Sequence, residues 1–188
     1  MNDSETAGTV VRLPAVYGEG DYQYRLWMQQ VRFDARRPFL LWQQSQINWR
    51  WPRAYVGNVA HAIALAVTDE RAAGRIYNAP SDPPLTQREW LVEYGRIEGW
   101  RGDIIALPDE FLPPHLKQEN NYAQDMVVDG TRMREELGYE DVVAVEEGVR
   151  RAFAWTRENP PPKYNARLLD FSLEDAALTA YREDTRPR

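Results

Sequence analysis

Few side chains in this 188-residue chain have the types and spacing that catalysis requires. A lysine four positions after a tyrosine can lower the phenol's pKa, so that it exchanges a proton near neutral pH. The only lysines are Lys117 and Lys163, and the residues four before them are Pro113 and Asn159, so no such pair exists. Without cysteine there is no disulfide, no thiolate nucleophile and no zinc-thiolate site. His61 and His115 fall in a predicted helix and a proline-rich loop, with no cue to a metal. Neither a Gly-x-Ser-x-Gly elbow nor a P-loop occurs. The acidic pairs Glu135/Glu136 and Glu146/Glu147 are adjacent rather than facing, which predicts solvated helix faces. Gly18-Glu19-Gly20 lacks a third glycine, its place being taken by Gln23, so it does not make a dinucleotide fingerprint. No catalytic residue and no metal ligand is assigned to this chain.

The elements that would position a site can be read from pattern. The length suits one domain, and a hydrophobic content of 43% with seven tryptophans can supply its core. A net charge of -6 gives no basic footprint for nucleic acid. The longest apolar run, Val59 to Val67, contains His61 and is too short to span a membrane. Residues 1–8 are polar and acidic, which predicts a disordered leader rather than a signal peptide, and a cytoplasmic location.

Thr9, Val10, Val11 and Leu13 predict a short buried strand, ended by Pro14, with a turn at Gly18 and Gly20. Tyr24, Trp27, Met28 and Val31 predict a helix over 22–37 that Pro38 stops. Asn58 is a good N-cap for a helix through His61, Ile63, Leu65 and Val67 that ends near Gly74. The next strand, around Ile76-Tyr77-Asn78, is expected to pair in parallel with the opening one. Thr86 and Glu89 form a capping box for a helix with Trp90, Leu91, Tyr94 and Ile97 on one side, and Gly99 closes it. Asp103 to Leu107 reads as a strand, and Pro108 to Pro114 as an irregular loop. Met133 and Leu137 share the core face of a helix ended by Gly138; Val145, Val149, Ala152 and Phe153 line another, stopped by Pro160. Ser172 to Asp175 opens a last short helix before a charged tail. Trp42, Trp49 and Trp51 lie in a stretch without clear periodicity, where an exposed aromatic patch could form.

Several segments together resemble a known family. Arg12-Leu-Pro-Ala-Val-Tyr-Gly-Glu-Gly-Asp21 is similar to the segment that follows the catalytic tyrosine and lysine in extended short-chain dehydrogenases/reductases, the NAD-dependent epimerase/dehydratase family. Arg53-Ala-Tyr-Val-Gly-Asn-Val-Ala60 resembles its R-x-Y-V-x-D-V-A element, with Asn58 where the aspartate is usual, a change that keeps the cap and removes a charge. Gly74-Arg-Ile-Tyr-Asn78 resembles its G-x-x-Y-N strand, and Met126 to Tyr139 its D-x-x-[RK]-x-x-x-x-L-G-[YF] signature. Glu146, Glu147, Gly148 and Trp155 match its closing helix.

The resemblance implies an α/β fold, the carboxyl-terminal part of a Rossmann-like domain: its last parallel strands plus a small mixed α/β substrate-binding region. It covers 9–159, leaving 160–188 as a proline-led extension with one short helix. It implies NAD or NADP as cofactor, with Leu13, Pro14, Ala15 and Val16 lining the nicotinamide side. Arg53 would hold a phosphate of a nucleotide-sugar-like substrate, because a guanidinium fork matches two phosphate oxygens. The Gly-rich cofactor turn and the Tyr-x-x-x-Lys pair belong to the half of the pattern not found here, so this chain alone is expected to be inactive. Its expected partners are a complementing amino-terminal half or a second copy, with no nucleic acid and no membrane. The alternative is a non-catalytic module of the same ancestry that binds a ligand or a protein.

Overall fold

The computed structural model describes residues 7–79 and 84–186. The leader expected at 1–8 therefore lies almost wholly outside the described residues, as does Pro80. In chain order the elements are β1 (Val10–Arg12), β2 (Ala15–Tyr17), α1 (Trp27–Asp34), β3 (Phe39–Gln43), β4 (Arg53–Tyr55), α2 (Val56–Thr68) and β5 (Ile76–Asn78). Then follow α3 (Gln87–Ile97), β6 (Asp103–Leu107), α4 (Thr131–Leu137), α5 (Val145–Glu158) and α6 (Phe171–Asp184). All strand pairs are parallel: β1 with β5, β2 with β4, β3 with β6. Parallel neighbours cannot be joined by a tight turn, so the helices serve as crossovers. The result is the α/β class expected from the sequence.

Local signals set several elements as expected. Thr86 Oγ1 accepts from the Glu89 amide at 3.2 Å while the Glu89 carboxylate accepts from the Thr86 amide at 2.7 Å, which starts α3. Gly138, at φ +67°, ends α4 in the left-handed region that a side chain would strain. The principal core joins Trp90 and Tyr94 of α3 to Val149 and Phe153 of α5, with Phe33, Leu40, Tyr17 and Tyr55. Tyr94 meets Phe153 edge to face, centroids 5.6 Å apart. A Cβ at Gly148 would stand 2.8 Å from the Tyr55 ring, so the glycine is what lets α5 close onto β4. A second core, Ala62, Ala66, Tyr77, Met133 and Tyr139, lies between α2, α4 and β5, and a third joins Leu41, Leu107, Leu112 and Leu178.

Other expectations are corrected. The opening strand is not buried: Val11 packs into the second core, but Val10 is 50% exposed and Leu13 47%, because β1 has only β5 beside it among the described residues. Helix α1 starts at Trp27 rather than near 22, since the Asp21 carboxylate accepts from the amides of Gln23 and Arg25 and holds that stretch in turns. Helix α2 ends at Thr68; Asp69 then caps a turn over 70–72, and Gly74 lies beyond it. The last helix is not short but fourteen residues long, and its cap is Asp170, whose carboxylate accepts from the Ser172 amide. The run Phe39–Gln43 forms a strand that pairs residue by residue with Asp103–Leu107.

Asn58 does not cap its helix. It sits buried inside the first turn of α2, whose cap position is Tyr55. Its Oδ1 accepts from the amides of Val142 and Val143, at 3.1 and 2.9 Å, and its Nδ2 donates to the Val143 carbonyl at 2.8 Å. One side chain thus satisfies three backbone groups just before α5. Replacing it with alanine should lower stability by about 2–4 kcal/mol in urea unfolding, because those groups lose their partner on burial. Asn58→Asp keeps both acceptor bonds but turns a carboxylate oxygen toward the Val143 carbonyl. The two amides favour the charged form and the carbonyl opposes it, so at pH 7 Asn58→Asp should cost less stability than Asn58→Ala.

Candidate functional site

A cavity of about 440 Å³ opens beside β3, where the turns before α1, the start of α3 and the proline-rich loop converge. Its apolar wall is Leu40, Leu41, Met28, Leu116 and Leu168, with Tyr24, Trp42 and Trp51 as aromatic surfaces. Its polar lining is dominated by neutral amides, Gln23, Gln29, Gln43, Gln46, Gln87 and Gln118. Amides both donate and accept without charge, which suits a ligand rich in hydroxyl and carbonyl groups.

Three arginines also line the cavity, and they differ in how their charge is met. Arg25 pairs with Asp21, four residues away. Arg32 pairs with Glu174, which α6 carries into a fully buried position. Arg53, on β4 and only 8% exposed, has no carboxylate among the described residues. Its Nη1 donates to the Tyr94 hydroxyl at 2.8 Å and its Nη2 to Gln87 Oε1 at 2.6 Å, while its Nε has no protein partner. The guanidinium also lies over the rings of Trp51, Trp90 and Tyr94, at 5.7 to 5.9 Å. Burial holds the Tyr94 phenol above its ordinary pKa against the opposing pull of Arg53, and burial likewise raises Tyr17. Neither phenol therefore supplies a counter-charge near neutral pH. Arg53 is a buried cation held by neutral groups, the electrostatic situation that an anionic ligand relieves.

Where the cavity approaches α6, the lining is His115 and Leu168 beside Arg32. Arg32 Nη1 donates to the Met28 carbonyl at 2.8 Å and Nη2 to the Leu168 carbonyl at 3.3 Å, in addition to Glu174. Burial lowers the His115 pKa, opposed by Glu174, so the imidazole is neutral near pH 7. His115 Nε2 and Glu174 Oε2 are buried without a protein partner.

Of the residues singled out in the sequence, Arg53 lines this cavity and Leu13, Pro14, Ala15 and Val16 do not. The two sets are nonetheless adjacent, since Ala15 is the register partner of Arg53 across β2 and β4, and the Val16 carbonyl accepts from Arg25 at 2.9 Å. Leu13 stands exposed between β1 and β2. The tryptophans do not make an exposed patch. Trp49 is buried, stacked 5.4 Å from Trp51 and edge-on to Tyr122, and its Nε1 donates to the Gln124 carbonyl. His61 packs against Tyr139, and among the described residues no group of three or more metal-ligating side chains forms. No helix among them is long and apolar enough to cross a membrane.

The Gly18-Glu19-Gly20 loop is filled from within. A Cβ on Gly18 would fall 2.7 Å from Val56 and 3.0 Å from the Tyr55 ring, and the Tyr55 hydroxyl donates to Glu19. The Tyr55 and Val56 side chains thus take the space against Gly18, and the Glu19 carboxylate on the loop would repel a dinucleotide phosphate, so these residues do not fit one.

No family model matches the chain. The uncharacterized protein y4nL of Sinorhizobium fredii is 26% identical over 174 residues, covering 80% of this chain and 47% of that protein. Among solved structures, UDP-glucose 4-epimerase of Thermotoga maritima with UDP-glucose is similar at a TM-score of 0.60 and 18% identity, over 80% of this chain and 46% of that one. UDP-glucuronic acid 4-epimerase of Bacillus cereus, in complex with UDP-glucuronic acid and NAD, is similar at 0.60 and 13%, over 80% and 45%. The fold is therefore Rossmann-like α/β, as in these two epimerases. The chain spans about half the length of each of these relatives.

Proposed function

We propose that this chain is the substrate-side, carboxyl-terminal portion of an NAD(P)-dependent epimerase, dehydratase or reductase, and that its cavity holds a nucleotide-sugar-like ligand by the phosphate. The observation that carries the reading is Arg53, the one cavity arginine whose charge no carboxylate among the described residues meets. The glutamine and aromatic lining supports the same ligand class, with amides for hydroxyls and Trp42 or Trp51 for a ring face. Leu13, Pro14, Ala15 and Val16 take the role of an apolar wall toward the nicotinamide. The cofactor's phosphates and the hydride and proton chemistry belong to an amino-terminal portion, in the same or a second polypeptide. The half-exposed register partners Val10 and Ile76, with Leu13 just beyond β1, offer that portion an apolar surface to cover.

Calorimetric titration of the purified chain tests this. UDP is expected to bind, NAD and NADP are expected not to, and UDP-glucose is expected to be left unchanged. Cofactor-dependent turnover by the 188 residues alone would overturn the division of labour, and failure of UDP to bind would overturn the site.

A further inference from the structure

The carboxyl-terminal helix brings a carboxylate behind the cavity wall, onto the lining residue Arg32, and what it does there sets the charge that a ligand meets. Glu174 is fully buried and paired with Arg32, so the wall around Arg32, His115 and Leu168 carries no net positive charge when His115 is neutral. This part of the wall shares no hydrogen-bond partner with Arg53, Gln87 and Tyr94. The cavity thus has one uncompensated cation and, apart from it, a neutral lining of amides and rings.

We infer that Glu174 is a specificity-positioning residue: by neutralising Arg32 it makes the site accept a nucleotide sugar whose glycosyl part is uncharged and reject one bearing a carboxylate. This rests on the assignment of the phosphate to Arg53. A sugar carboxylate placed on the Arg32 side would be desolvated against a guanidinium whose charge is already taken, and beside a second buried carboxylate oxygen with no partner. A neutral hydroxyl group carries no charge to desolvate, and Gln43 and Gln46, which already bond Asp109 and Gln118, each keep a second amide hydrogen to donate. Without Glu174, Arg32 would become a free cation and the penalty for a carboxylate would turn into an attraction.

The test compares UDP, UDP-glucose and UDP-glucuronic acid by calorimetry on the purified chain, its Glu174→Gln variant and its His115→Lys variant. The lysine variant keeps both Arg32 and Glu174 and raises the net charge of the same wall by one, so it remains informative if Glu174→Gln does not fold. Wild type should prefer UDP-glucose over UDP-glucuronic acid by about tenfold or more, and either variant should erase or reverse that ratio, which is read within each variant so that a general gain in affinity for the UDP anion cancels. Equal wild-type affinities for the two sugars, or a ratio unmoved by the folded variants, would overturn the inference while UDP binding still upholds the phosphate site. If UDP itself fails to bind, the phosphate assignment falls and the inference falls with it.

Discussion

Arg53→Met should lose UDP binding by about 30- to 1,000-fold, the equivalent of roughly 2–4 kcal/mol of charge-assisted hydrogen bonding, while its folding stability stays within about 1 kcal/mol of wild type. The two halves of that expectation come from the same fact. Arg53 is buried with neutral partners only, so the unliganded fold bears the desolvation of a cation that nothing in it neutralises. Removing the charge relieves that cost. Against this stand the loss of two hydrogen bonds, to Tyr94 and Gln87, and of the ring contacts, which methionine's flexible apolar stem replaces only in part. Arg53→Lys keeps a charge but cannot reach Tyr94 and Gln87 and still present a fork to two oxygens, so it should bind UDP with intermediate affinity. Calorimetry and urea unfolding on the same preparations separate the roles. A variant that loses several kcal/mol of stability yet retains UDP would make Arg53 a structural residue and leave the cavity without its anion site.

What could be read from the sequence was local. The Thr86–Glu89 capping box, the left-handed Gly138 and the apolar stripe of Val149, Ala152 and Phe153 each lie within one or two helical turns, and each stands where the pattern put it. The parallel pairing of β1 with β5 followed from two β-rich runs with helix between them. Features decided by distant partners were not legible. Asn58 looks like a cap because its type and position fit one, yet its hydrogen bonds go to residues 84 and 85 positions away. The tryptophan stretch looks aperiodic because Trp49 answers to Tyr122 and Gln124 rather than to its own element. Most of the cavity escaped notice because its polar residues are buried: Gln29, Gln43, Gln46 and Gln87 read as surface on composition alone. One cue was available. Phe171, Glu174, Leu178 and Tyr181 recur at helical spacing, and a carboxylate inside such an apolar stripe needs a buried cation.

That cation is Arg32, 142 residues earlier, and cutting the pair from one side should be the most destabilising change offered here. Glu174→Ala should cost about 3–5 kcal/mol, because it strands a guanidinium that is almost wholly enclosed rather than merely removing an attraction. The loss should be felt where α6 docks, since Leu178, one turn along from Glu174, packs against Leu41, Leu107 and Leu112. Proteolysis should accordingly cut first between Pro160 and Asp170, which join α5 to α6. The double variant Arg32→Met/Glu174→Leu replaces two buried charges with apolar groups of similar bulk, and should recover most of the stability. It also divides the pair's two roles. A cavity wall without charge is as neutral as one whose charges cancel, so the refolded double variant should keep the preference for UDP-glucose over UDP-glucuronic acid that Glu174→Gln loses. Recovered stability with lost preference would mean that the geometry of the pair, and not its neutrality, sets the choice of ligand.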